Sequence, residues 1–307
     1  MTKKQTDTDK QTGENATADS EAYLLKPTDL VTVTKMNHLI EIQYMEKLNR
    51  SMNILKLDKD RYLEISTGEV KEFQHSENRK DNHNSLRQTF KKLRYLINNN
   101  FIGAPNELHV TLTYAENMTD TKRLYKDFKN FVERLRTRFK KESTLDYLCV
   151  VEPQGRGAWH CHMLVRFNEL EKVYIPADEL QSIWGQGFVK IKSLKDVDNI
   201  GAYLSAYLTD VELTNDNLMD FLGKRMEVKE HEGKHFVKGG RLHLYPPGMN
   251  LYRKSKGIVF PEREKLRFEK IKKIVGSAKP HYEKTYKIEK EEFENTIHFQ
   301  QYNLKRQ

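Results

Sequence analysis

From Trp159 to Phe167 the chain alternates. Trp159, Cys161, Met163, Val165 and Phe167 are apolar, while His160, His162 and Arg166 fall on the other parity with Leu164. A period of two predicts a half-buried strand. Leu145 to Glu152 predicts a second one, with Tyr147, Cys149 and Val151 on one face and Glu152 on the other. Between them Gln154-Gly155-Arg156-Gly157 is a turn sequence, so the two strands should form a hairpin. Side chains two apart on a strand leave the same face roughly 6–7 Å apart. His160 and His162 can therefore point at one ion, and the hairpin returns His160 to the neighbourhood of Glu152. One carboxylate and two imidazoles around an open position suit a divalent ion that still binds substrate. Paired histidines on a strand also serve as ordinary surface or core residues. The carboxylate at the matching hairpin position favours the metal.

A histidine–hydrophobic–histidine triplet with a glutamate eight residues earlier resembles the HUH endonucleases, the nicking enzymes of rolling-circle replication. The wider string VVEPQGRGAWHCHMLV is similar to the phage and plasmid replication-associated branch of that superfamily. Leu108 to Tyr114, running on into Ala115-Glu116-Asn117, resembles its first motif. The resemblance spans roughly residues 60–260 and implies an RRM-like palm. It also implies a divalent ion, Mg2+ or Mn2+, held by Glu152, His160 and His162.

The string NIGAYLSAYLTD carries Tyr203 and Tyr207, four apart, which places both phenols on one face of a helix. Such pairs are common in half-buried packing. Downstream of the histidines they resemble the family's third motif, in which tyrosine attacks a DNA phosphodiester and becomes a 5'-phosphotyrosine. A phenol with a pKa near 10 is a weak nucleophile at neutral pH, so the metal must polarise the phosphate. Relatives carry lysines three residues after each tyrosine; here those positions are Ala206 and Asp210. Lys190, Lys192 and Lys195 are candidate substitutes, or exposed lysines with no such role.

The chain's formal net charge of +9 and pI near 9.2 favour polyanionic partners, nucleic acid first. Its two cysteines, Cys149 and Cys161, fall on core-facing strand positions, which argues against a disulfide scaffold and for a reducing cytoplasm. No apolar run reaches membrane length, and no secretory apolar region opens the chain.

Along the chain, residues 1–22 are polar and read as a disordered tail. Residues 23–84 form an N-terminal extension containing strands and, from His75, a polar linker. Residues 85–212 form the catalytic domain. The apolar stripe Leu86, Phe90, Leu93, Ile97, Phe101 predicts a helix, and Leu108–Tyr114 predicts a strand. A second helix, capped by Asp120, buries Leu124, Phe128, Phe131, Leu135 and Phe139. After the hairpin come a helix from Pro176 to Trp184, a strand over 187–191 and a helix over 196–209. This order predicts an α+β fold, a central antiparallel sheet with packed helices. Residues 213–307 form a C-terminal extension, its last part, from Pro261, read as one helix and a peripheral charged tail.

Candidate DNA contacts are Arg156, Lys190, Lys192, Arg123, Lys126, Arg134, Arg136, Arg253 and Lys254. The run on the second helix is either a solvated face or a holder of DNA backbone. The segment RLHLYPPGMNLYRKSKGI either meets single-stranded DNA through interleaved rings and charges or extends the palm. With no phosphate-binding loop visible, unwinding is assigned to a host helicase. The expected function is site-specific, metal-dependent nicking and joining of origin DNA, single-stranded or hairpin, to start rolling-circle replication of a plasmid, phage or integrative element. A single-strand transposase shares the motif order, whereas a relaxase usually places its tyrosine before the histidines. A non-catalytic RRM-like nucleic-acid binder would not need the full set of residues.

Overall fold

The computed structural model describes residues 16–17, 23–48, 53–73, 83–154, 157–195, 197–209, 211–212, 228–231, 234–237, 245–246, 249–290 and 293–306. The expected tail at 1–22 and the linker at 75–85 lie largely outside them. The chain divides into two units. One comprises residues 36–38 and 73–261, the other 1–35, 39–72 and 262–307.

In the unit carrying 73–261, strands β1 (Glu107–Tyr114), β2 (Leu145–Pro153), β3 (Trp159–Phe167), β4 (Gly187–Ser193) and β5 (Tyr252–Lys254) form one antiparallel sheet. Its order is β4-β1-β3-β2-β5. Helices α1 (His83–Asn100), α2 (Thr121–Phe139), α3 (Ala177–Trp184) and α4 (Ile200–Thr209) complete it. From Leu108 to Thr209 the element order is the one the apolar periods predict. This is an α+β fold consistent with an RRM-like palm.

Strand parity sorts the core into two layers. Leu108, Val110, Leu112, Cys149, Val151, Cys161, Met163 and Val165 point to one face and pack with the apolar stripe of α2 and with Leu180 and Trp184 of α3. The side chain of Asp120 accepts from the amides of Lys122 and Arg123 at 2.8 and 3.3 Å, which starts α2. Leu148, Val150 and Leu164 point to the opposite face, under Leu93, Leu96 and Ile97 of α1 and Ile200 and Leu204 of α4.

Two glycines set positions that matter to the site. The Gly201 amide donates to Asn98 Oδ1 at 2.8 Å, and a Cβ on Gly201 would lie 2.7 Å from that oxygen. With Asn199 Oδ1 accepting from the Ala202 amide at 3.0 Å, this fixes where α4 starts, four residues later than the sequence suggests. Gly187 opens β4 with φ +156°, so close to β1 that a Cβ would lie 2.5 Å from the Thr113 carbonyl oxygen.

The segment around Tyr252 extends the palm: β5 pairs with β2, and Tyr245, Met249 and Leu251 enter the core. Residues 211–212, 234–237 and 228–231 form a small antiparallel sheet.

The other unit holds a six-stranded antiparallel sheet in the order 16–17, 280–290, 293–303, 39–45, 30–36, 263–267. Val31, Val33, Ile40, Ile42, Ile271, Val275 and Tyr302 form its core. A second sheet joins 54–56, 61–64 and 70–72. The stretch from Pro261, expected as one helix and a tail, instead contributes three strands. Its only α-helix among the described residues is the short Ile271–Val275. Polar interior positions hide its alternation, since Thr285, Asn295, His298, Gln301 and Asn303 are all buried.

Candidate active site

Backbone register lays out the site. Glu152 pairs with His160, His160 with Thr113, and Thr113 with Phe188 across β2, β3, β1 and β4. The next row is Val150, His162, Thr111, Lys190, and the next is Leu148, Leu164, His109, Lys192. Paired residues share a face, so all of these side chains leave the sheet on the side of α1 and α4.

The three sequence-chosen ligands converge. Ligand atoms of Glu152, His160 and His162 all lie within 4.8 Å of one another. Glu152 and His162 are each 5% exposed, and Nε2 of His162 meets the Glu152 carboxylate in a short hydrogen bond. The hairpin that joins them closes through Gln154 N to Ala158 O and Gly157 N to Gln154 O, both 2.8 Å. On the opposite face Trp159 anchors it, its Nε1 donating to Thr119 O at 3.0 Å.

Two residues support His162 from behind. Its Nδ1 lies 3.3 Å from Thr111 Oγ1 and 3.3 Å from His109 Nε2. Burial pushes the His162 imidazole down to about 4, and the Lys192 charge adds to it. Burial likewise takes His109 down to about 3, with His162 and Lys192 contributing. Both rings are therefore neutral at pH 7, and a neutral imidazole has a lone pair to give. The donor set fits a divalent cation: two ligand atoms already face each other across one proton, and a cation could take that proton's place with a third ligand at hand. The sequence placed His109 and Thr111 on a predicted strand but gave them no role; the register across strands puts them beside His162.

Tyr203 reaches the same face from α4. Its ring meets that of His109 edge to face, with centroids 6.0 Å apart, and its hydroxyl lies 3.3 Å from Lys192 Nζ. His109 thus touches both His162 and Tyr203. Tyr207 lies on the same helix, but its side chain, like those of Ala206 and Asp210, falls outside the described residues, as does Arg156.

The expected DNA contacts divide. Lys190 and Lys192 share the face of Glu152, His160 and His162. Arg123, Lys126, Arg134 and Arg136 belong to α2, on the opposite face, where several are already engaged. Arg123 pairs with Glu116 and Asp127, Arg134 donates to the carbonyls of Ile183 and Trp184, and Arg136 lies over the Tyr147 ring. Arg253, paired with Cys149 and so also on that face, stacks 3.8 Å from the Tyr125 ring centre. Lys254 donates to Ile258 O at 2.7 Å.

No described helix is long and apolar enough to cross a membrane. No curated protein and no solved structure matches the chain. Over residues 107–212, which carry β1 through α4 and with them Glu152, His160, His162 and Tyr203, the chain matches the family described as Replication-associated protein ORF2, and this supports a role in replication.

Proposed function

We propose that this protein is a metal-dependent DNA nicking and joining enzyme that initiates rolling-circle replication through a 5'-phosphotyrosine intermediate. The observation that carries the reading is the shared face: the Glu152–His160–His162 cluster and the Tyr203 phenol stand on one side of the sheet, bridged by His109. Glu152, His160 and His162 would hold Mg2+ or Mn2+. When bound, the cation draws charge from the scissile phosphate and orients it.

The protein's own residues do the rest. Thr111 and His109 hold the His162 ring in place through its Nδ1. Lys192 donates to the Tyr203 oxygen, and a cationic donor favours the anionic form of the oxygen that attacks. The Tyr203 oxygen bonds to phosphorus as the bond to the 3' oxygen breaks. The 3' oxygen leaves as a hydroxyl with the proton the phenol gives up. The phosphodiester energy stays in the tyrosine ester, so a later 3'-hydroxyl can reverse the step and rejoin the strand. Origin DNA enters single-stranded or as a hairpin, and a host helicase supplies unwinding.

The test is incubation with single-stranded circular DNA of the replicating element in Mg2+ or Mn2+. A protein–DNA adduct stable to denaturation, lost with chelator, is expected. Cleavage that proceeds fully in chelator, or without any adduct, would sink the reading.

A further inference from the structure

Phe188 is an anomaly on the strand that borders the site. Its side chain is 62% exposed, yet β4 is an edge strand of the sheet, where an uncovered apolar ring is a liability for aggregation. The strand's other parity is used conventionally: Val189 and Ile191 pack into the core beneath α2 and α3. Phe188, Lys190 and Lys192 instead face the side of the metal ligands, in the rows of His160, His162 and His109. The position of Phe188 is also held, because Gly187 before it lies against the Thr113 carbonyl and the Ala115 amide, where no Cβ fits.

Resting on the function proposed above, we infer that Phe188 is a stacking platform for an unpaired nucleobase of the single strand whose phosphate reaches the metal ligands. Phe188 and His160 are two strands apart in one row, about 10 Å at the usual strand spacing, a span that a nucleotide or two of extended strand covers. A ring followed on its own strand by two cations suits a polyanion with exposed bases, since lysines take phosphates and the ring takes a base face. Duplex DNA presents no base face, so the platform selects unpaired strand beside the nick position.

Both buried tryptophans, Trp159 and Trp184, leave room for a spectroscopic test with Phe188→Trp. The probe is a thirty-nucleotide oligothymidylate, with a matched duplex as control and chelator present throughout. The emission of Phe188→Trp above the parent background should be quenched by the single strand and not by the duplex. Phe188→Ala and Phe188→Leu should each weaken single-strand binding roughly tenfold, while Phe188→Trp retains it. Lys190→Met should lower the log–log salt slope by about 0.7. Wild-type affinity in Phe188→Ala, or Phe188→Trp emission that saturating single strand leaves unchanged, would overturn the platform. Loss of self-association in Phe188→Ala with DNA binding intact would instead make the ring a contact between copies, and overturn it equally. None of these readouts uses the adduct. A quenched Phe188→Trp without any adduct would reject the nicking reading alone, and adducts with no quenching would reject the platform alone.

Discussion

Lys192 Nζ lies 3.3 Å from the Tyr203 hydroxyl oxygen, joining a sheet strand to the helix that carries the tyrosine. Three residues after Tyr203 and Tyr207 the sequence has Ala206 and Asp210 rather than lysines, and the cation beside the Tyr203 phenol comes from β4. Lys192→Met should cut adduct formation on the order of 10²-fold, the usual scale for removing one donor at developing charge. Lys192→Arg should recover part of it. Adduct rates measured under single turnover decide; an unchanged rate in Lys192→Met would mean that the contact is only packing.

If Glu152, His160 and His162 hold a cation as proposed, each chain binds one. Mn2+ titration followed by electron paramagnetic resonance should give one site, lost in His160→Ala and His162→Ala. Thr111→Val and His109→Phe keep the ligands but remove what touches His162 Nδ1. Removing such partners typically weakens metal affinity 10–100-fold, and these variants should bind Mn2+ that much more weakly. Affinity equal to wild type in both would mean that Glu152 alone orients the ring.

How far the sequence reached depended on whether a residue's partner lay along its own strand or across space. Glu152, His160 and His162 were legible because a single hairpin carries all three and strand parity decides their face. Asp120 was legible as a cap because the amides it accepts from follow within three residues. The Lys192–Tyr203 contact was not, since it depends on where α4 crosses β4. Nor were strands 280–290 and 293–303, because a pair such as Thr285 and His298, bonded at 2.9 Å, fills interior positions with polar groups. The apolar alternation that announces a strand is then missing although the strand is there.

Acid should weaken the metal-free protein before its carboxylates titrate. His109 has an unfolded pKa near 6.5 and a folded value of about 3. Between those values the unfolded chain binds a proton that the folded chain does not, so stability rises with pH. It is lost as pH falls below about 6.5, by up to about 1.4 kcal/mol per pH unit for each such group. Urea unfolding in chelator at pH 7, 6 and 5 measures this. His109→Leu removes one titrating group and should flatten the dependence accordingly; an equal slope would place the titration elsewhere.

Arg134 ties α2 to α3. It donates to the carbonyls of Ile183 at 2.7 Å and Trp184 at 2.9 Å, at the end of α3. Carbonyls in the last turn of a helix have no partner within the helix itself. Arg134→Met should therefore cost about 1–3 kcal/mol of stability, with little effect on the salt dependence of single-strand binding. A slope reduced by about 0.7 with unchanged stability would return Arg134 to the DNA surface.

The attacking residue is expected to be Tyr203, which meets both Lys192 and His109. Tyr207, four residues further along the sequence, would serve as a second nucleophile. One tyrosine can open a strand but, while esterified, cannot attack the regenerated junction at the end of a replication round. Two can alternate, one holding the 5' end while the other attacks. Tyr203→Phe should lose most of the first-round adduct, because it removes the hydroxyl that meets Lys192. Tyr207→Phe should keep the first-round adduct and fail at the second transfer. The double variant should form none. Mass spectrometry of the trapped peptide names the residue. A wild-type adduct yield from Tyr203→Phe would reverse the order of the two, and an adduct in the double variant would remove α4 from the chemistry.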